Sequence, residues 1–510
     1  MAEFPSGKVK EVWFDPEGDV RRIDINGETV KTIEKDGRDL LITDERGLTT
    51  RKEYDEWNNL TRIEYPDGST VTYEYDHELD RVTRKVNERG VVTEYDYNSQ
   101  GNRIRKIEAV GTPSERVTEY SYDSDDNRIE IVRPGGAVVS MEYDEYGNLI
   151  RRTGPEGGVT TFTYDEAGNV LKKEAPEGRT WEYEYDARGR RIKEVDPKGR
   201  VTEYAYDSLG NKVKEIAPGD RVTRFEYDAE GNLVKRIREG DPQTDSDDLV
   251  TRFEYNAAGK VIRKVGPGGK EVHFEYDKRG RRKRTIKAGN EIVRHYGSGV
   301  SGCSSCGGPS DKPSRVEYPT YSVEYAYDKR GRKTVERKMV NGTTLTTQYE
   351  YDASGNLVSK TDPKGRTTEK SYDPLGRVSQ KTDPMGGVTE YEYDARGNLI
   401  RLTDPKGQTT RFEYDLRDQL VKKIRPMGET TTYSYDKAGN LVEKIEPEGQ
   451  RTVYEYNLAD ELIGVKYYAS SGATTPEKTV SFSYDEAGNL VSYDDGTTSG
   501  SYSYDAFGRR

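Results

Sequence analysis

The stretch from Asp186 to Asp207 reads DARGRRIKEVDPKGRVTEYAYD, and its reading decides the fold. Two turn signals punctuate it, Asp186-Ala187-Arg188-Gly189 and Asp196-Pro197-Lys198-Gly199. Each puts Asp at the first turn position, where the carboxylate can accept local backbone N–H bonds, and Gly at the fourth, where a positive φ is often required. Pro197 presets φ at the second position. Between the turns lie Arg190 to Val195 and Arg200 to Tyr206, each long enough for a strand of roughly 20 Å. The second alternates with period two: Tyr204 and Tyr206 point one way, Glu203 and Ala205 the other. The same pattern recurs at Phe225/Tyr227 around Glu226, Phe274/Tyr276 around Glu275 and Tyr391/Tyr393 around Glu392, so one face is expected to be aromatic and the other charged. The strand after each Gly resists this assignment, because Leu441 and Ile445 share one parity while Val442 takes the other.

Outward from this unit, the beat continues in both directions with a period of 21 residues. Tyr143-Asp144, Tyr164-Asp165, Tyr185-Asp186 and Tyr206-Asp207 are followed by Gly147, Gly168, Gly189 and Gly210. Tyr372-Asp373, Tyr393-Asp394 and Tyr435-Asp436 are followed by Gly376, Gly397 and Gly439. About 20 registers occupy Tyr54 to Asp505. These residues are read as structural repeat positions. Gly or Pro interrupts roughly every ten residues and no window keeps a 3.6 period, which argues against helices throughout.

Composition agrees with something thin, ordered and Tyr-rich. Of 510 residues, 31% are hydrophobic and 34% charged, with 39 Tyr and 52 Gly, too few aliphatic side chains for several thick cores. The abundance of Tyr, Val and Thr argues equally against disorder. A balance of 81 basic against 93 acidic residues, with the bases evenly spread, disfavours a nucleic-acid partner. No apolar run approaches the roughly 18 residues of a membrane helix, and Met1 to Val12 has no signal-peptide stretch.

The expected fold is therefore all-β: a continuous antiparallel hairpin meander of about 20 repeats, two strands per unit. Equivalent tyrosines then sit roughly 9.6 Å apart, forming aromatic ladders with Leu, Ile or Val filling between them. A ribbon roughly 190 Å long must twist, so it is expected to coil into a spiral or ring-like shell about 60 Å across. Four regions follow from the spacing: degenerate repeats over 1–53, a repeat array over 54–276, an irregular insert over 277–327, and a second array over 328–510.

The recurring Tyr-Asp-x-x-Gly-Asn-Leu of Tyr393 to Leu399 and Tyr435 to Leu441 alternates with the Asp-Pro-x-Gly of Asp362 to Gly365, Asp383 to Gly386 and Asp404 to Gly407. This pattern resembles the RHS or YD-repeat family: bacterial polymorphic-toxin shells, the cocoon component of insecticidal toxin complexes, and the teneurin repeat barrel. The resemblance spans about nine tenths of the chain. It implies a spiralling β-shell that, in bacterial members, encapsulates a cytotoxic C-terminal domain and is closed by a downstream segment whose aspartate chemistry releases the toxin. Neither that segment nor a toxin follows here, since the sequence stops at Tyr504-Asp505-Ala506-Phe507-Gly508-Arg509-Arg510, which reads as a fragment or an engineered array.

Longer spacings mark projecting loops at Val110 to Arg116, Glu239 to Asp248 and Tyr468 to Glu477. The acids Asp241, Asp245, Asp247 and Asp248 lack the ligand alternation of a calcium loop and read as a solvated turn. The 277–327 insert holds both cysteines, Cys303 and Cys306, with only His295 nearby. A disulfide, inert thiols, or a metal site shared between chains all remain open. His77, His273 and His295 are scattered; neither a serine-hydrolase elbow nor a phosphate loop occurs, and no catalytic, cofactor or metal residue is assigned. The leading expectation is a non-catalytic shell segment that sequesters a toxic polypeptide. Its partners would be that polypeptide or shell segments outside this chain, in a parent protein that is secreted or associated with the cell surface. A repeat protein binding cell-surface glycans, or an inactive scaffold, are the alternatives.

Overall fold

A computed structural model describes residues 2–3, 9–16, 18–25, 27–240, 248–297, 311–505 and 507–510. Among these the secondary structure is β-strand and turn, with three-residue 3₁₀ turns at Pro134–Gly136, Pro176–Gly178 and Pro267–Gly269 and no α-helix. The all-β antiparallel meander read from the sequence is what forms. In the founding repeat, Arg191–Val195 pairs with Arg179–Tyr185 on one side and Val201–Tyr206 on the other, both antiparallel. Cys303 and Cys306 lie outside the described residues, as do Asp241, Asp245 and Asp247.

The chain divides into two compact units, each drawn from two stretches far apart in sequence. The first comprises Met1–Arg116 with Thr251–Glu390, and the second Val117–Val250 with Tyr391–Arg510. Few side chains are fully covered: the buried hydrophobic residues include Val71 in the first unit and Val139, Met141 and Val465 in the second. A single sheet layer has no opposing layer to seal it, so most positions remain half-buried.

Where the sequence left the faces unassigned, a β-bulge supplies the reason. In the hairpin Thr430–Tyr435/Leu441–Ile445, Tyr435 pairs with Leu441 but Ser434 pairs with Glu443, so Val442 is skipped. One extra residue inverts the alternation beyond it. Leu441 therefore shares the face of Tyr435, while Ile445, opposite Thr432, lies on the other face despite equal parity in sequence. The same shift recurs beside Tyr143, Tyr164, Tyr185, Tyr206 and Tyr372.

The bulge also corrects the expected division into an aromatic and a charged face. Opposite Tyr204 and Tyr206 stand Glu215 and Lys212, which pair with each other at 2.5 Å. Lys212 Nζ lies 5.5 Å from the Tyr204 ring centroid and 5.1 Å from that of Phe225. Lys173 over Trp181 and Lys85 over Tyr73 repeat the arrangement at 4.3 and 5.8 Å. The rings are thus interleaved with cations, which the π faces attract, as well as with the expected aliphatic side chains, such as Leu149 opposite Tyr143 and Leu441 opposite Tyr435. Val201 and Ile216, conversely, sit on the face of Glu203.

Candidate functional site

The repeated turn is the smallest feature that every functional reading must use. In the turn Asp144–Gly147, the Gly147 N–H donates to Asp144 O at 3.1 Å and the Asp144 N–H to Asn148 O at 3.0 Å. Asp144 Oδ1 accepts from the backbone N–H groups of Tyr146 (3.0 Å) and Asn148 (2.8 Å), and Oδ2 from Asn148 Nδ2 (3.0 Å). Where Arg replaces this Asn, its guanidinium takes over: Arg190 Nε donates to Asp186 Oδ2 at 2.7 Å. These donors hold the Asp144 and Asp186 carboxyls below the usual carboxylate range, the Asn148 and Arg190 side chains contributing most. In the second turn family, the Arg366 side chain brings Asp362 down to about 2.

The fourth position is left-handed, with φ of 80° at Gly147 and 74° at Gly189. Where a YD turn lacks glycine there, Asn58, Asp126, Asp418 and Asp460 take its place, the residue types that tolerate this conformation best; in the turn after Tyr75 the left-handed residue is Asp80, one position later.

In most of the repeats the Tyr before the turn does something the sequence reading missed. Tyr164 Oη donates to Leu149 O at 2.7 Å, a carbonyl fifteen residues earlier, at the bulge of the preceding hairpin. Tyr143 to Arg128, Tyr185 to Val170, Tyr206 to Arg191, Tyr372 to Leu357 and Tyr435 to Leu420 repeat it at 2.7–3.1 Å. A signal for this was present. Phe substitutes for Tyr two residues earlier, at Phe162, Phe225, Phe274 and Phe412, whereas from Tyr54 onward the residue directly before the turn Asp or Asn of these hairpins is Tyr. Burial pushes the Tyr164, Tyr185, Tyr372 and Tyr435 hydroxyls above their usual pKa, and that of Tyr327 to about 12.

Within each unit, turns from the two stretches meet along a seam. In the first unit Arg46 donates to Asp328 O and Lys329 O, Arg89 to Tyr372 O and Asp373 O, and Arg330 to Glu88. In the second, Glu461 accepts from Lys198 Nζ (2.9 Å) and Arg200 Nη1 (2.7 Å), and Arg179 Nη1 meets Asp460 Oδ2 at 2.6 Å. Glu156 and Glu177 accept from the Leu416 and Lys437 backbone N–H groups. The partners stand 242 to 284 residues apart in sequence. Always it is the Asp-Pro-x-Gly side of the earlier stretch that meets the Tyr-Asp side of the later one. A recess of about 430 Å³ over the second seam is lined by Lys198, Arg200, Glu203, Pro218 and Glu486.

Nothing here assembles a catalytic group from the histidines. His77 stacks on Trp57 with centroids 3.9 Å apart, His273 Nε2 lies 3.0 Å from Glu271, and His295 Nε2 3.3 Å from Glu317. Among the described residues no group of three or more His, Cys, Asp or Glu side chains is placed to hold a metal ion, and no helix is long and apolar enough to cross a membrane.

Comparison with known proteins yields two family matches. The teneurin YD-shell model matches residues 21–248, and the RHS repeat model matches 255–292, 327–368 and overlapping segments from 372 to 474. No curated protein sequence matches. Two crystal structures of TcdB2-TccC3, one of them described as TcdB2-TccC3-TEV, are similar in fold. They show TM-scores of 0.67 and 0.66 at 14% and 16% identity, over 98% and 96% of this chain. A Tc holotoxin pore of Photorhabdus luminescens aligns with a TM-score of 0.58 at 14% identity, over 98% of this chain. This chain spans 29% to 34% of the length of those chains. With Tyr-Asp turns, tyrosine clamps and two adjoining repeat models along most of its length, the chain belongs to the RHS/YD-repeat family.

Proposed function

We propose that this chain is a wall segment of a β-shell that encloses a toxic polypeptide and performs no catalysis itself. The seam inside each unit carries the reading. Hydrogen-bonded strands make the sheet continuous along the ribbon, and turn-to-turn contacts make it continuous across the ribbon. A surface joined in both directions can retain a polypeptide where an isolated ribbon would leave gaps. The TcdB2-TccC3 structures support this by fold. The partners would be the enclosed toxin and further shell segments, in a protein that acts outside the cell that makes it.

The test is to read the gene beyond Arg510, co-express this chain with the polypeptide encoded there, and follow proteolysis. Co-purification with the cargo resisting protease until the shell is denatured is the expected result. A reading frame that closes at Arg510, or a cargo digested as fast as it is alone, would refute the reading.

A further inference from the structure

A second recess, of about 520 Å³, lies wholly within the second unit, beside the contacts that Glu156 and Glu177 make with the Leu416 and Lys437 backbone. Its lining is strongly one-signed. Arg133, Arg152, Lys173, Arg179, Arg417 and Lys437 border it, against a single carboxylate, Glu156. The whole chain carries a net charge of -12, so this excess is local. The strand register explains the convergence. Arg152 pairs with Met141 and Thr160, Lys173 with Phe162 and Trp181, and Arg133 with Ala137, so all three project from the aromatic face of neighbouring hairpins.

Two of the six cations are already balanced: Arg179 meets Asp460 at 2.6 Å and Arg417 lies 3.6 Å from Asp415. Among the described residues no carboxylate pairs with the side chains of Arg133, Arg152, Lys173 or Lys437, and Lys173 instead lies over the Trp181 ring, 4.3 Å from its centroid. Glu156 is occupied by the Leu416 N–H.

Other repeats show how the same positions look when balanced. Those of Arg152 and Lys173 become Glu194 and Glu215 in the next two repeats, and these acids pair with Arg191 and Lys212. Where Arg191 and Lys212 stand, the earlier repeats carry Leu149 and Val170. Charge is thus reversed at one position without compensation at the other. The neighbouring recess is balanced too, because Lys198 and Arg200 share Glu461. A concavity lined by one sign of charge concentrates counter-ions, and an anion placed among these cations relieves their mutual repulsion.

Guanidinium groups match the oxygens of a phosphate through paired N–H bonds, an ammonium adds a point charge, and the Thr160 hydroxyl on the same wall adds a neutral donor. The volume suits a compact ligand carrying several charges. We propose that this recess binds an oligophosphate, its oxygens held by Arg133, Arg152, Lys173 and Lys437. The site goes beyond the encapsulation reading and does not depend on it. A free oligophosphate and the phosphate chain of a nucleotide share this chemistry.

Calorimetric titration with inorganic triphosphate tests the site. One site per chain is expected, with a micromolar Kd at about 50 mM salt that weakens as salt rises. Arg152→Gln and Lys173→Gln should each weaken binding about tenfold with unchanged far-UV circular dichroism. Lys85→Gln, which removes a cation resting on Tyr73 in the first unit, should leave it unchanged. In the variant Trp13→Phe/Trp57→Phe, triphosphate should alter the emission of Trp181, since Lys173 leaves its ring for the ligand. ATP binding more tightly than triphosphate supports a nucleotide as the ligand, and affinity no greater supports a free oligophosphate. No heat and no change in Trp181 emission up to about 1 mM triphosphate overturns the proposal. So does affinity untouched in Arg152→Gln/Lys173→Gln, or tighter binding of hexaglutamate than of triphosphate, which assigns the recess to an acidic polypeptide segment.

Discussion

Replacing the clamping tyrosines with phenylalanine isolates what the hydroxyl contributes. Tyr164→Phe keeps the ring and deletes one bond, the 2.7 Å donation to Leu149 O. An intramolecular hydrogen bond contributes about 1 kcal/mol net, and more is lost where the abandoned acceptor is cut off from water. Leu149 and Tyr164 are half-buried, so water can recover part of that loss, and the expected cost is about 1 kcal/mol per clamp. Tyr206 and Tyr435 make the same bond at 2.9 Å to Arg191 and Leu420. The three sites share no partner, so their effects should add to about 3 kcal/mol in the triple variant. Urea denaturation followed by circular dichroism measures the sum. Hydrogen exchange measures each site, with about fivefold faster exchange expected in the hairpins joined by the lost clamp. Tyr204→Phe is the control, because neighbouring repeats carry Phe162 and Phe225 at its position. A triple variant within about 0.5 kcal/mol of the parent, or equal to the control, would show that the rings alone hold successive repeats together.

Gly147 has a φ of 80°, so Gly147→Ala should cost about 1–2 kcal/mol by thermal denaturation, while Gly147→Asn should cost less, as the natural Asn58 implies. Glu461→Gln removes the charge that Lys198 and Arg200 share across the second seam. We expect a loss of about 1–2 kcal/mol, read as faster hydrogen exchange in both 196–200 and 457–461, although these turns are 261 residues apart for the Arg200 contact. Exchange confined to 457–461 would refute the seam. Acid should unfold the protein through its turns. The folded carboxyls of Asp144, Asp165, Asp186 and Asp207 lie below their unfolded values, so their stabilisation is complete above about pH 4 and is lost as pH falls through the folded values. At the other extreme, the clamping hydroxyls have raised folded values. Their contribution is complete below about pH 10 and is lost as pH rises toward the folded values; phenolate absorbance should lag behind that of the urea-unfolded chain.

The hairpin rhythm was legible because turn chemistry is local: Asp196-Pro197-Lys198-Gly199 specifies its own geometry without reference to the rest of the chain. Strand faces were legible only up to the bulge. Tyr204 and Tyr206 alternate in sequence and in space, but Leu441 and Ile445 do not, since skipping Val442 depends on the pairing register with Thr430–Tyr435. The hydroxyl clamp was half visible, in the absence of Phe before the turn from Tyr54 onward, yet the acceptor of Tyr164 is a backbone carbonyl fifteen residues away and carries no side-chain signature. The seam was illegible for a stronger reason. Arg200 and Glu461 pair because of how two distant stretches lie together, and neither residue departs from its repeat in a way that announces the other.

Adjacency of Tyr and Asp in the repeat follows from these two roles. The Asp fixes its own hairpin turn, and the Tyr beside it fixes that hairpin to the previous one, so a single dipeptide sets both geometry within a repeat and spacing between repeats. Stability along the ribbon then becomes a sum of local and nearest-neighbour contributions, as in other repeat proteins. Across the ribbon the chemistry is different: guanidinium and ammonium groups reach carboxylates and carbonyls on turn tips, from the ion pair of Arg179 with Asp460 to the several contacts around Arg330. A wall built this way has a strong direction and a weak one. The strong direction is specified by residues every repeat must carry. The weak direction is specified largely by the third position of the Tyr-Asp turns, which varies between Arg, Ser, Ala and Leu, whereas the fifth, mostly Asn or Arg, also braces its own turn Asp. Sequence change at the third position can alter which turns adhere to one another while leaving the ribbon intact.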